Sequence, residues 1–165
     1  TLETYETQVN AYLGDVSNIN TDWEGRQSTG MTQEDARAQF EEVHNNILIW
    51  ENAVGGADVP DYPSLAQAYN ELIAEVAALA PAVLDIIAGL EAPDDGSLRR
   101  EAVIDFENQA DAVLDAIASL RTLALQTGIP DQGSTTSTPS GGEEPTTSVT
   151  TTTSATDTTV PGTNA

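Results

Sequence analysis

LIAEVAALAPAVLDIIAGL, residues 72–90, is the most apolar run of the chain, and the fold turns on whether it crosses a membrane or fills a core. Its length is close to what a bilayer requires, about 20 residues. Against a span stand Glu75, Asp85 and the internal Pro81, because charge near the centre of a span is costly. Its large apolar residues recur in alternating steps of three and four: Leu72, Val76, Leu79, Val83, Ile86, Leu90. A stripe at that spacing covers one side of a helix, as a core requires; a lipid-facing helix is apolar all round. The same phase extends back to Tyr69 and Leu65 and runs through Pro81 unbroken, which predicts one kinked helix over 63–91 rather than two.

Three further series share the spacing. They are Leu2, Tyr5, Val9, Tyr12, Val16, Ile19, Trp23; then Ala36, Phe40, Val43, Ile47, Trp50, Val54; and, last in the chain, Val103, Phe106, Ala110, Val113, Ile117, Leu120, Ala124. Four such seams predict an all-α protein with helices at about 2–24, 33–54, 63–91 and 97–127. Between them lie EGRQSTG, GGADVPDYP and APDDG, segments made of turn-forming residues. Short connections imply antiparallel neighbours, so the expected architecture is an up-down-up-down four-helix bundle over residues 1–131. Thr32 with Asp35 three residues on suits a capping box, with Met31 and Ala36 as its hydrophobic staple. Gly55 and Gly56 suit the end of that helix, and Asp94, Asp95 or Ser97 the start of the last one.

Composition bounds the function. The 165 residues carry 27 acidic side chains against five arginines and no lysine, for a formal charge of −22. Such a field repels phosphate backbones and anionic lipid surfaces, so neither nucleic acid nor a membrane surface is an expected partner. It also repels itself in dilute buffer, which favours a working environment rich in counter-ions. A composition rich in Asp, Glu, Thr and Ala without Lys resembles proteins of salt-loving archaea, and after them some secreted proteins of marine actinobacteria. The absence of cysteine removes disulfides and thiolate metal sites.

Beyond about residue 132 the chain changes character. STTSTPSGGEEPTTSVTTTTSATDTTVPGTNA, residues 134–165, is mostly Thr and Ser with almost nothing apolar. It cannot bury enough surface to offset its ordering entropy, so residues 132–165 are expected to form a low-complexity tail or stalk. Such tracts resemble O-glycosylated spacers of cell-surface proteins, whereas no Asn-x-Ser/Thr sequon is present. The chain opens at Thr1 without a charged-then-apolar leader, which fits an exported product whose signal or anchor lies outside it.

Candidate sites are few. Glu41 and His44, in EEVH, have the Glu-x-x-His spacing of a di-iron half-site. At about 100° per residue, however, the seam through Phe40, Val43, Ile47 and Trp50 leaves His44 on the flank and turns Glu41 towards water. His44 is also the only histidine, so the pair is a weak metal candidate and no cofactor is expected. The acidic loops lack the alternating ligands and glycine of a calcium loop. With no cysteine and one flank histidine, no nucleophile–base pair can be nominated, and an enzyme is not expected. Seven of the eight aromatics fall on seams and only Tyr62 in a loop, which reads as core packing. Arg99 and Arg121 fall beside the last seam, where they would pair with carboxylates of a neighbouring helix.

The expectation is a non-enzymatic cell-surface or secreted module for interaction or scaffolding in high salt, its partner a protein or a component of the cell envelope. The alternative is an extracytoplasmic sensor or small-ligand-binding bundle, with a pocket near the Pro81 kink lined by Val76, Leu79, Pro81, Val83 and Ile86. A metal-handling bundle built on Glu41 and His44 ranks below both. Exposed seam edges would also allow two copies to associate, and no segment of this chain is expected to insert into a membrane.

Overall fold

The computed structural model describes residues 1–128, and the expected tail at 132–165 lies outside the described residues. Those 128 residues are all-helical and form a helical bundle around one apolar core, with no strand among them. In order they are α1 (Leu2–Glu24), α2 (Arg26–Thr29), α3 (Gln33–Gly55), α4 (Pro63–Ala77), α5 (Leu79–Glu91) and α6 (Ser97–Gln126).

The helix ends follow from side-chain chemistry. Thr32 and Asp35 form a reciprocal capping box at the start of α3: the Asp35 amide donates to Thr32 Oγ1 at 3.0 Å and the Thr32 amide to Asp35 Oδ2 at 3.0 Å. The Thr32 hydroxyl first, and the Thr32 amide second, hold the Asp35 carboxyl below the usual carboxylate range. Met31 packs on the core beside that cap. At α6, Asp94 takes the capping role, accepting from the amides of Gly96 and Leu98 at 2.9 Å each and from the Ser97 hydroxyl at 3.0 Å. The Leu98 and Gly96 amides, in that order, lower its pKa. Gly96 turns the chain into α6 at φ 85°, a left-handed conformation that favours glycine.

Two features depart from the expected four helices. The Glu24–Gly30 connection contains the single turn α2, stopped by Gly30 at φ 73°, with the Arg26 guanidinium 4.5 Å above the Trp23 ring. The expected kinked helix over 63–91 is one helical stretch, Pro63–Glu91, divided at the single residue Ala78 into α4 and α5. Proline at position 81 has no N–H for the carbonyl four residues earlier, so the ladder loosens there. Around the break the Ala78 amide bonds the Glu75 carbonyl at 3.2 Å, a tighter three-residue turn. Ala78 itself keeps right-handed helical angles, φ −84° and ψ −13°.

By length and composition, Pro63–Glu91 is apolar enough to cross a membrane. In the fold its seam is turned onto the other helices, and Leu65, Leu72, Val76, Leu79, Val83 and Ile86 are almost wholly buried. α1 packs on α3 and α6, and α3 and α6 both pack on the α4–α5 segment, whereas α1 does not run beside α4 or α5. The core is filled chiefly by Phe40, Ile47 and Phe106 with the branched residues of the seams, at the close density that makes each methylene count.

Cross-helix contacts fix which positions face each other. Tyr12 donates to the Asn46 carbonyl at 3.0 Å, and Arg121 reaches Glu6 at 2.8 Å while Arg99 reaches Glu24 at 3.1 Å. Gln33 donates to the Leu90 carbonyl at 2.9 Å, and Gln109 to the Glu75 backbone carbonyl at 2.9 Å.

Candidate functional site

Glu41 and His44 occupy one turn of α3 as their spacing requires, but the structure does not gather ligands around them. Glu41 is exposed and accepts from Arg37 Nε at 2.8 Å, while Arg37 also reaches Glu91 at 2.9 Å. His44 is half-buried on the flank of the seam. Among the described residues no group of three or more His, Asp or Glu side chains stands close enough to hold a metal ion.

The five residues expected around a pocket are placed differently from one another. Val76, Leu79, Val83 and Ile86 are completely buried in the core, whereas Pro81 lies on the exposed side. No polar group points into the apolar interior unpaired, since every buried side-chain nitrogen or oxygen among the described residues has a hydrogen-bond partner. The two largest recesses described lie at the ends of the helices and touch none of these five residues.

The first recess, about 690 Å³, is walled by the end of α1, α2, the end of α5 and the start of α6. Arg26, Arg99 and Arg100 line it together with Glu24, Glu91, Asp94 and Asp95. Arg37 bridges Glu91 on its rim, so four of the five arginines collect at this end. Arg99 is the only buried charged residue described, 3 % exposed. Its Nη1 donates to Asn20 Oδ1 and its Nη2 to Glu24 Oε1 at 3.1 Å. The close approach that buries it depends on Gly89: a Cβ there would lie 2.6 Å from the Arg99 amide nitrogen and Cα. The other guanidiniums are also engaged, Arg26 on the Trp23 carbonyl at 3.1 Å and Arg100 on Asp95. Alternating charges that satisfy one another make this recess a fastening between helix ends rather than an open anion site.

The second recess, about 600 Å³, lies at the opposite ends of α1 and α6, under the loop from Ala57 to Tyr62. Tyr5, Tyr62 and Tyr69 line it with aliphatic side chains, and Asp58 and Asp61 stand at its rim. Tyr69 is buried and donates to the Val54 carbonyl at 2.9 Å, while its oxygen also lies 3.4 Å from that of Tyr5. Burial first, and the Tyr5 hydrogen bond second, push the Tyr69 phenol well above the ordinary tyrosine value. Tyr5 meets Trp50 edge-on at 6.0 Å between centroids, and Tyr12 does the same at 5.7 Å. Tyr62 is half-exposed and opens α4 just ahead of Pro63.

Spacing alone assigns Tyr5 and Tyr69 to the core and Tyr62 to a loop. The signal it lacks is position along the helix. A seam residue in the first turn of α1 has no further turn to cover it, so Tyr5 both packs on Trp50 and lines a recess.

Compared with protein-family models, with curated proteins and with solved structures, the chain matches none.

Proposed function

We propose that the chain is a non-enzymatic interaction or scaffold module, carried on a cell surface or secreted, and adapted to high salt. The observation that supports this reading is the distribution of charge. Not one acidic residue in the described bundle is buried, and only Glu6, Glu51 and Glu75 are even half-buried. Three of the five arginines instead pair from one helix to another, Arg37 with Glu91, Arg99 with Glu24 and Arg121 with Glu6. The acids thus form a solvated outer coat, and three of the few cations fasten one helix to the next. Such a coat keeps a body soluble, and its self-repulsion weakens the fold least where salt screens it.

The architecture proposed for this body is the up-down-up-down four-helix bundle, with α4 and α5 acting as its third helix. Supporting it are the pairings that run in opposite directions along neighbouring helices: Glu6 with Arg121 and Glu24 with Arg99 between α1 and α6. Between α3 and the α4–α5 segment, Gln33 pairs with Leu90 and Val54 with Tyr69. Neighbours in sequence are neighbours in space, as short connections demand.

Treatment of intact source cells with an external protease tests the location. Loss of the protein without cell lysis, or its recovery from cell-free medium, supports the reading; full protection until lysis overturns it.

A further inference from the structure

We infer that the tyrosine-lined recess at the α1–α4–α6 end binds an alkylammonium ion, a cation whose charge is spread over methyl or methylene groups. This inference stands apart from the high-salt reading and does not depend on it.

The recess has the size of a small-molecule site, about 600 Å³. Its walls combine two chemistries that suit one class of ligand. Three phenol rings, Tyr5, Tyr62 and Tyr69, stand among aliphatic groups such as Leu2, Val59 and Leu65. Aromatic rings attract cations through their quadrupole, and quaternary ammonium ions are recognised in this way. Asp58 and Asp61 are the only charged side chains on the lining; both are exposed, and neither has an ion pair or hydrogen bond among the described residues. No arginine reaches this recess, in contrast to the other end, where arginines satisfy the acids. Thr1 lines the recess as well, so two carboxylates stand there against one amino group, and the lining is aromatic with a net acidic character.

Charge complementarity selects the occupant. An anion is repelled by the two aspartates and by a net charge of −22. A metal ion binds through hard oxygen ligands, and apolar walls offer little in place of its water. An alkylammonium ion gives up water from its methyl groups readily and keeps its charge near both rings and carboxylates. The rings are also held in place beforehand. The Tyr69 hydroxyl is tied to the Val54 carbonyl and the Tyr5 ring abuts Trp50, so little ordering remains to oppose binding.

Calorimetric titration of the full chain with choline tests the site, with 3,3-dimethylbutanol as the neutral isostere. Working in molar NaCl removes diffuse counter-ion attraction and leaves contacts at short range. Choline is expected to bind one site with a dissociation constant on the order of 1 mM. The neutral isostere is expected to bind at least about tenfold more weakly. Tyr62 is half-exposed, so Tyr62→Ala leaves the core intact; it should weaken choline binding about tenfold, while Tyr62→Phe should retain it. Asp61→Asn should weaken it about threefold. Absence of choline binding, equal binding of the neutral isostere, or an unchanged affinity in Tyr62→Ala would each overturn the inference.

Discussion

Arg99 of α6 and Glu24 of α1 meet at 3.1 Å, with the guanidinium buried and the carboxylate half-exposed. The asymmetry decides what each partner contributes. Arg99 buries its stem and also donates to Asn20, whereas Glu24 retains much of its hydration. Arg99→Ala is expected to destabilise the bundle by about 2–4 kcal/mol through lost packing and lost hydrogen bonds. Glu24→Gln should cost less than about 1 kcal/mol, as for other half-exposed pairs. Urea unfolding of both variants checks this; equal losses would show that the charge pair, not the burial, holds the two helices.

Gly89 makes that burial geometrically feasible. A methyl group there would meet the backbone of Arg99 at 2.6 Å and of Leu98 at 2.8 Å, atoms that cannot swing aside. Gly89→Ala should therefore destabilise by about 1–3 kcal/mol although alanine is the better helix former. Gly14, exposed in α1 with open space where a methyl group would sit, is the matched control. Gly14→Ala should stabilise by up to about 1 kcal/mol. Opposite signs in thermal or urea unfolding separate close packing from helix propensity.

Positions 89 and 99 also mark the boundary of what is legible in the sequence. The three–four spacing identifies helices and core because it is local: Phe40, Ile47 and Phe106 lie on seams and are completely buried. Thr32 and Asp35 are legible as a cap for the same reason. The third helix is legible only as kinked, because a proline disturbs the ladder ahead of itself, so Pro81 divides the helix at Ala78 while the apolar phase continues. Burial of Arg99 and the need for glycine at 89 depend on a helix that follows in sequence, and hydropathy ranks both residues as poor core. The tyrosine recess depends on where helices stop, which periodicity does not register. The acidic coat is legible in composition, but its complete exclusion from the interior is a result of the fold.

Asp94 gives a pH signature. Its amide partners Leu98 and Gly96 hold its carboxyl below the ordinary aspartate range in the folded state. Its contribution to stability is therefore complete above the unfolded-state value, about pH 4, and disappears as pH falls through the lowered folded-state value. Asp94→Ala should be less stable than the parent at neutral pH, and the gap should close in acid. Paired melting curves from about pH 7 to about pH 2 check the trend. A gap that stays constant would mean that the carboxylate does not act as the cap of α6.

Adaptation of the acidic coat to abundant salt is tested most directly by the melting temperature of the full chain, followed by the helical signal in circular dichroism from low salt to molar KCl or NaCl. Screening shortens the reach of each charge from about 30 Å at 0.01 M to about 3 Å at 1 M. With a net charge of −22, the melting temperature should rise markedly across that range, by a similar amount in either salt. A melting temperature that stays flat, or falls, would overturn the high-salt reading.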